Sequence, residues 1–484
     1  MNHTAPQSLL DRLTRIVGPE NCLSREGELF AYECDGLTLE PRRPLAVLLP
    51  KTTREVAEIV RACRDHDVCF VPRGAGTGLS GGAHATENSV LIECSRMNRI
   101  LEVDAENRIA VVQPGVVNAE LSTAIAHHGL FFAPDPSSQQ VCTIGGNIAE
   151  NAGGPHTLKY GTTTNHILAL EMVLPDGQVE RFGNRVGETA GYDWVGAIVG
   201  SEGTLGIVTE ATVRLTSIPE GVETLLAIFD DVVAACRAVG RVIRSGLVPA
   251  AMEIVDQRTI RAIEASVYAA GIPTSAGAVL IIELDGNPVC LDSEVATIRK
   301  LCHAEGCRTI ERARDEEERT RFWRARKGAF GAMGRLAPDL YVHDAVVPRT
   351  RLPEILEKVC EICDRHRLKL ANVFHAGDGN IHPNICFDKR DPDELARVMK
   401  AGEEILEACV AVGGVISGEH GIGLEKRDYL HLVFTPLDLE PMYRLRESFN
   451  PDGVCNPARS FRRRDFVSNR IPRHADTTRC HSDE

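Results

Sequence analysis

Pro72-Arg-Gly-Ala-Gly-Thr-Gly-Leu-Ser-Gly-Gly82 decides the fold class of this chain. Within it, Gly76-Thr-Gly78-Leu-Ser-Gly81 satisfies the G-x-G-x-x-G expression of dinucleotide-binding Rossmann domains. That expression carries its meaning only where the loop opens a crossover helix in a parallel βαβ unit. Here Val68-Cys-Phe-Val71 predicts a strand before the loop and Val90-Leu-Ile-Glu93 predicts the next strand after it. Too few residues lie between for a crossover helix, so the nicotinamide-type Rossmann reading fails on context. Five glycines in residues 74–82 cost backbone entropy, which a plain surface turn has no reason to carry. A run of backbone N–H groups with little side chain forms a nest suited to a pyrophosphate. Arg73, Thr77, Ser80 and Thr86 add a charge and three hydroxyls to it.

A second small-residue block repeats the logic: Pro134-Asp-Pro-Ser-Ser138, Thr143-Ile-Gly-Gly-Asn147 and Asn151-Ala-Gly-Gly154. Rigid proline turns followed by small residues permit close approach of a flat ligand. Two such blocks in one domain predict a large cofactor held over its whole length. Upstream, residues 1–40 read as a helical lead-in ending near Tyr32-Glu-Cys-Asp35. A strand is expected at residues 45–49, then a helix to about His66 capped by Thr52 or Thr53 with Glu55 in its first turn. Further strands are expected at residues 109–113 and up to Leu215, with a helix at 118–128. Pro219-Glu-Gly221 marks a change to alternating strands and longer helices, at 231–245, 292–305 and 352–366. That pattern is an antiparallel sheet backed by helices. The chain therefore divides into a lead-in (1–40), a first domain (41–220), a second domain (221–461) and a polar tail (462–484) expected to be disordered.

A chain of 484 residues should hold two or three cores. A net charge of −14 and only 5% aromatic residues argue against a nucleic-acid binder, which needs a basic face and stacking platforms. No uncharged apolar run approaches the ~18 residues of a membrane span. Asp11, Arg12 and Arg15 interrupt the amino-terminal apolar residues, so no signal peptide is expected and the location is read as cytoplasmic. The cysteines are scattered and read as small buried hydrophobes. Cys360-Glu-Ile-Cys363 with His366 lies in a predicted helix with no second pair, which argues against a redox, metal or iron–sulfur role.

The densest chemistry lies in Asn372-Val-Phe-His-Ala-Gly-Asp-Gly-Asn-Ile-His-Pro-Asn384 and Ser417-Gly-Glu-His-Gly-Ile-Gly423. A two-residue turn at Asp378-Gly379 would place His375 directly opposite His382, with Cβ atoms roughly 5 Å apart on one face. Asn384 would share that face. Glu419 and His420, neighbours on extended backbone, would point opposite ways and serve different roles. Two such ligands, a third oxygen or nitrogen donor and one further histidine suit a metal-assisted acid–base site. A zinc hydrolase would use the same set but leaves both glycine blocks unexplained.

These stretches, with Ala31-Tyr-Glu-Cys-Asp-Gly36, resemble a known family across almost the whole chain. Residues ~40–220 are similar to the FAD domain of the vanillyl-alcohol oxidase/p-cresol methylhydroxylase (PCMH) superfamily. The remainder resembles the FAD-linked oxidase C-terminal domain of 2-hydroxy-acid dehydrogenases, most narrowly the D-subunit family of bacterial glycolate oxidases. The resemblance implies an α+β fold: a two-part PCMH-type FAD-binding domain, then a ferredoxin-like C-terminal domain whose end returns to the flavin. It implies FAD contacts at Arg73, Gly74, Gly76, Thr77, Gly78, Leu79, Ser80, Pro134, Asp135, Ser137 and Ser138. It extends them to Gly145, Gly146, Asn147, Asn151, Gly153, Gly154, Glu202, Ile207 and Asn456. Relatives with covalent flavin carry a histidine where Thr77 stands, so non-covalent FAD is expected.

The family's divalent-metal ligands fall on His375, His382 and Glu419, with zinc first and manganese or iron as alternatives. Its base falls on His420, its substrate-carboxylate partner on Arg326, and a further substrate contact on Asn384. Relatives acting on D-2-hydroxyglutarate carry threonine where Phe330 sits and lysine near Val342. Losing both leaves a second carboxylate unpaired, which disfavours dicarboxylates. The activity implied is oxidation of a small 2-hydroxy acid, glycolate to glyoxylate, in glyoxylate metabolism. Electrons would pass to a second FAD-domain subunit and an iron–sulfur subunit toward quinone. Membrane association would be peripheral, at the cytoplasmic face of the inner membrane through those partners. A self-sufficient D-lactate dehydrogenase is the alternative enzyme; a non-catalytic flavin-binding subunit is the alternative of another class.

Overall fold

The computed structural model describes residues 6–86, 88–187 and 190–457. The chain forms two compact units. Of the described residues, the first comprises those within 6–152, 162–218 and 419–457; the second comprises those within 153–161 and 219–418.

The first unit contains two sheets, the two-part arrangement expected. In one, the strands run in the order Cys22–Leu23, Ala46–Leu48, Ser89–Glu93, Cys69–Arg73, and the last three are mutually parallel. The Thr53–Arg64 helix covers this sheet, with Val56, Ile59, Val60 and Cys63 in a core shared with Leu9, Leu13, Phe70, Val90 and Ile92. Thr52 caps it, its hydroxyl accepting from the Glu55 N–H at 3.2 Å. The parallel strands Cys69–Arg73 and Ser89–Glu93 are joined by the glycine-rich loop, and no helix occurs among the described residues of that connection. The other sheet is antiparallel throughout, in the order Ile100–Asp104, Ile109–Val112, Ile207–Arg214, Ile167–Val173, Val179–Gly183.

The second unit opens as β-α-β-β-α-β with an additional short helix, Gln257–Glu264, between its second and third strands. Its strands Gly221–Phe229, Ala251–Asp256, Ala278–Gly286 and Thr309–Arg312 lie in the spatial order fourth, first, third, second, all antiparallel. This is the ferredoxin-like order, with crossover helices Val232–Arg244 and Pro288–Ala304. The sheet continues from Ala251–Asp256 onto Lys369–His375. The second helix begins earlier than the expected residue 292. Asn287 accepts from the Val289 N–H at 3.0 Å and Pro288 takes the first helical position, a start signal the apolar spacing did not register.

Cys63, Cys363 and Cys409 are free and buried, and burial pushes each thiol up to about 12. No described helix is long and apolar enough to cross a membrane. The tail at 462–484 lies outside the described residues.

Candidate functional site

In the first unit the two small-residue blocks converge. A Cβ on Gly74 would lie 2.5 Å from Thr143 Oγ1, and Thr143 caps the Ile144–Glu150 helix by accepting from the Gly146 N–H at 3.3 Å. Gly78 has only Asp35 within 4 Å of a Cβ placed on it, at 3.9 Å, and Gly146 only Thr143, at 3.4 Å. The blocks thus touch at Gly74 and leave glycine faces bare beside the contact. A cradle of bare backbone suits a large, flat, anionic cofactor and fits FAD.

The loop is pinned from outside. Arg73 donates to the Ala83 and Cys34 carbonyls at 3.2 and 3.0 Å, Gly36 N–H donates to Gly78 O at 2.7 Å, and the Asp35 carboxylate accepts from Ala83 N–H at 3.1 Å. Buried Asn118, which sequence reading missed, donates to Pro134 O at 2.9 Å and Asn147 Oδ1 at 3.0 Å, tying the two ends of the second block together.

The segment after Glu419 belongs to this unit and is threaded onto the same loop. The Ser80 hydroxyl donates to the His420 carbonyl at 2.8 Å, and Ser80 O accepts from Leu424 N–H at 2.9 Å. Gly421 and Gly423 are left-handed (φ 82° and 53°), and a Cβ on Gly423 would collide with Ser80 O. Glu202, itself left-handed at φ 54°, accepts from the N–H groups of Ile422 and Gly423 at 2.7 and 2.8 Å. Its carboxylate therefore clamps the turn after His420. Asn456 donates to Glu202 O at 2.7 Å. The backbone bends through residues 418–420 instead of extending, so Glu419 and His420 are not sent apart: Glu419 Oε1 lies 3.9 Å from His420 Nε2. Among the expected cofactor residues, Ile207 buries its side chain in the core, whereas Gly153 and Gly154 fall in the second unit.

In the second unit the hairpin carrying the histidines differs from the expected register. His375 pairs with Asn380 and Asn372 with Pro383, so the turn has four residues, Ala376 to Gly379, not two. The Asp378 carboxylate accepts from Asn380 N–H at 3.1 Å, and Gly379 is left-handed (φ 85°). That asparagine-like local bond tightens the longer turn, which composition alone does not distinguish from a two-residue one. His382 is consequently diagonal to His375, not opposite. An even register shift keeps both on one face, and their rings lie 5.2 Å apart. Asn384 shares that face and donates to His382 O at 2.7 Å.

Each ring is oriented through Nδ1. His382 Nδ1 lies 3.0 Å from His343 O, and His375 Nδ1 lies 2.9 and 3.0 Å from the two oxygens of buried Glu253. A ring donating from Nδ1 carries its lone pair on Nε2, the state in which histidine binds metal. Asp344, adjacent to His382 with a 3.9 Å Nδ1–Oδ1 separation, accepts from the Ser417 hydroxyl and Gly418 N–H at 2.7 and 2.9 Å. It thereby fixes the backbone leading to Glu419. This donor set fits a divalent cation.

Arg326 is buried, its Nε donating to Glu253 Oε2 at 2.6 Å with Nη2 also 2.6 Å from that oxygen. Its Nη1 finds no acceptor among the described residues, nor does Asn384 Oδ1 find a donor. Phe330 is partly buried and packs against the core of the second unit. Glu253 and Asp344 were not foreseen. The available signal was a carboxylate inside the apolar run Ala251-Met-Glu-Ile-Val255, since a buried charge must be paired.

Comparison with known proteins finds two family matches along the chain. Residues 44–183 match the FAD binding domain family and residues 218–459 match FAD linked oxidases, C-terminal domain. The chain is 44% identical to glycolate oxidase subunit GlcD of Escherichia coli (strain K12), covering 94% of this chain and 91% of the relative. It is 40% identical to GlcD of Bacillus subtilis (93% and 96% covered) and 31% identical to a D-lactate dehydrogenase of Anaerostipes hadrus (86% and 89%). Among solved structures, p-cresol methylhydroxylase superposes with a TM-score of 0.79 at 16% identity, covering 94% of this chain and 96% of that one. The chain belongs to the FAD-linked oxidase family that includes the glycolate oxidase GlcD subunits, and it is an FAD-dependent oxidoreductase of PCMH-type fold.

Proposed function

We propose that this protein oxidises a small 2-hydroxy acid, glycolate foremost, and hands the electrons to partner subunits. The observation that carries the reading is the pair of Nδ1-anchored histidines, His375 and His382, on one face with Asn384 and close to buried Arg326. When bound, FAD supplies a two-electron acceptor for hydride and a divalent cation, zinc or alternatively manganese or iron, supplies a Lewis acid for the 2-hydroxyl. His375, His382 and Glu419 would hold the cation. Arg326 Nη1 and the Asn384 amide would bind the substrate carboxylate; with the Nε edge of Arg326 on Glu253, the grip comes from its other edge. His420 would take the hydroxyl proton, its backbone fixed by Ser80 and by the Glu202 clamp. Phe330 and Val342 supply no charge for a second carboxylate, which favours monocarboxylates.

The relatives named as glycolate oxidase subunits support transfer of electrons to other subunits, which we assign as a second FAD-domain protein and an iron–sulfur protein. A D-lactate dehydrogenase that works alone is the second reading; the 31% identity to a D-lactate dehydrogenase supports its substrate. Anaerobic titration of the flavin-loaded chain with glycolate, D-lactate, L-lactate and D-2-hydroxyglutarate tests the proposal. Bleaching of flavin absorbance by glycolate, suppressed by a chelator, is expected. No bleaching by any of the four with FAD and metal both bound would refute it.

A further inference from the structure

We infer that Glu253 is a positioning residue that sets the ring state of His375 and thereby the affinity of the site for metal. The inference rests on the metal reading above. Glu253 is fully buried on the strand Ala251–Asp256, directly across from His375 in the sheet register. Its carboxylate meets two groups that each bring a hydrogen to it. Arg326 can only donate, and Nε and Nη2 both lie 2.6 Å from Oε2. His375 Nδ1 lies within 3.0 Å of both oxygens. An anionic carboxylate accepts from both at once, which keeps the proton on Nδ1 and the lone pair on Nε2.

Arg326 Nη2 also sits 3.4 Å from His375 Nδ1. Without an acceptor for the Nδ1 proton, that guanidinium becomes the neighbouring donor, and the ring must turn its Nδ1 lone pair toward it. The proton then sits on Nε2, which no longer ligates. A glutamine at this position cannot serve both groups: its single oxygen goes to Arg326 and its NH2 faces Nδ1. The same carboxylate therefore holds the metal ligand and the substrate-binding arginine, and it excludes their direct pairing.

The test uses the flavin-loaded chain and zinc, with affinity measured by competition against a chelator. Glu253→Gln should weaken zinc binding about 10- to 100-fold while FAD absorbance per chain stays at the wild-type level. Glu253→Asp, which keeps the charge, should recover part of that loss. If Glu253→Gln does not yield folded, flavin-bearing protein, Glu253→Asp decides alone: weakened zinc with normal flavin supports the inference. Zinc affinity of Glu253→Gln within twofold of wild type, or of Glu253→Asp within twofold where only that variant folds, overturns it. Failure of the wild-type chain to bind zinc, manganese or ferrous iron would instead overturn the metal reading itself, so the two failures are distinct.

Discussion

Glu202→Gln separates two roles for a residue whose sequence position suggested cofactor contact. In the structure both carboxylate oxygens are occupied, by the N–H groups of Ile422 at 2.7 Å and Gly423 at 2.8 Å, in the turn that follows His420. Glutamine retains one acceptor and presents an NH2 to the other N–H. One charge-assisted hydrogen bond is lost, worth roughly 1.5–3 kcal/mol, and an N–H is left facing a donor. The left-handed backbone at residue 202 is unchanged by the swap, so the effect isolates the side chain. The expected result is destabilisation of about 2–3 kcal/mol, with the rate constant for flavin reduction by glycolate lowered about tenfold or more. FAD stoichiometry should remain at the wild-type level, because the retained Gly74–Thr143 contact defines the cradle. Denaturant unfolding followed by flavin fluorescence gives the first quantity and anaerobic rapid mixing the second. Loss of FAD with unchanged stability of the apoprotein would refute the clamp and restore a cofactor-contact role.

Gly74→Ala should lower FAD occupancy in purified protein severalfold, since the added carbon meets Thr143 Oγ1 at 2.5 Å; occupancy equal to wild type would contradict a tight junction between the blocks. Glu283 gives a pH dependence. Burial alone would raise its pKa, but hydrogen bonds and charge from His156 and Arg319 outweigh it and hold the carboxyl well below its ordinary range. A depressed carboxyl stabilises the fold above the ordinary glutamate range and loses that contribution as pH falls, beginning below about 4.3. The melting temperature of wild type should therefore drop more steeply with acid than that of Glu283→Gln. Parallel curves would show that the carboxylate contributes nothing.

Much of this was legible because the residues announce their own chemistry. The glycine spacing at 74–82 with no room for a helix excluded a Rossmann unit, and the cap at Thr52 located its helix. Histidines at 375 and 382 were placed on one face even though the turn was misjudged, because face depends on the parity of the register and parity survived a two-residue shift. What stayed hidden depended on contacts distant in sequence. Glu253 is separated from His375 by 122 residues. Asn118 lies 29 residues from Asn147. Glu202 reaches a turn 220 residues away. A single buried carboxylate in a strand signals that it must be paired, but not with what. The bend at 418–420 escaped for a local reason: glycines on either side of Glu419-His420 permit it, and alternation assumes extended backbone.

His420 is proposed as the base toward a small 2-hydroxy acid beside a bound flavin. The direct measurement is anaerobic, single-turnover reduction of the flavin by glycolate in wild type and in His420→Ala, with FAD and metal content determined on the same samples. Full FAD and metal content is expected, with reduction slowed by about 100-fold or more. Reduction within tenfold of wild type, with both cofactors bound, would contradict it.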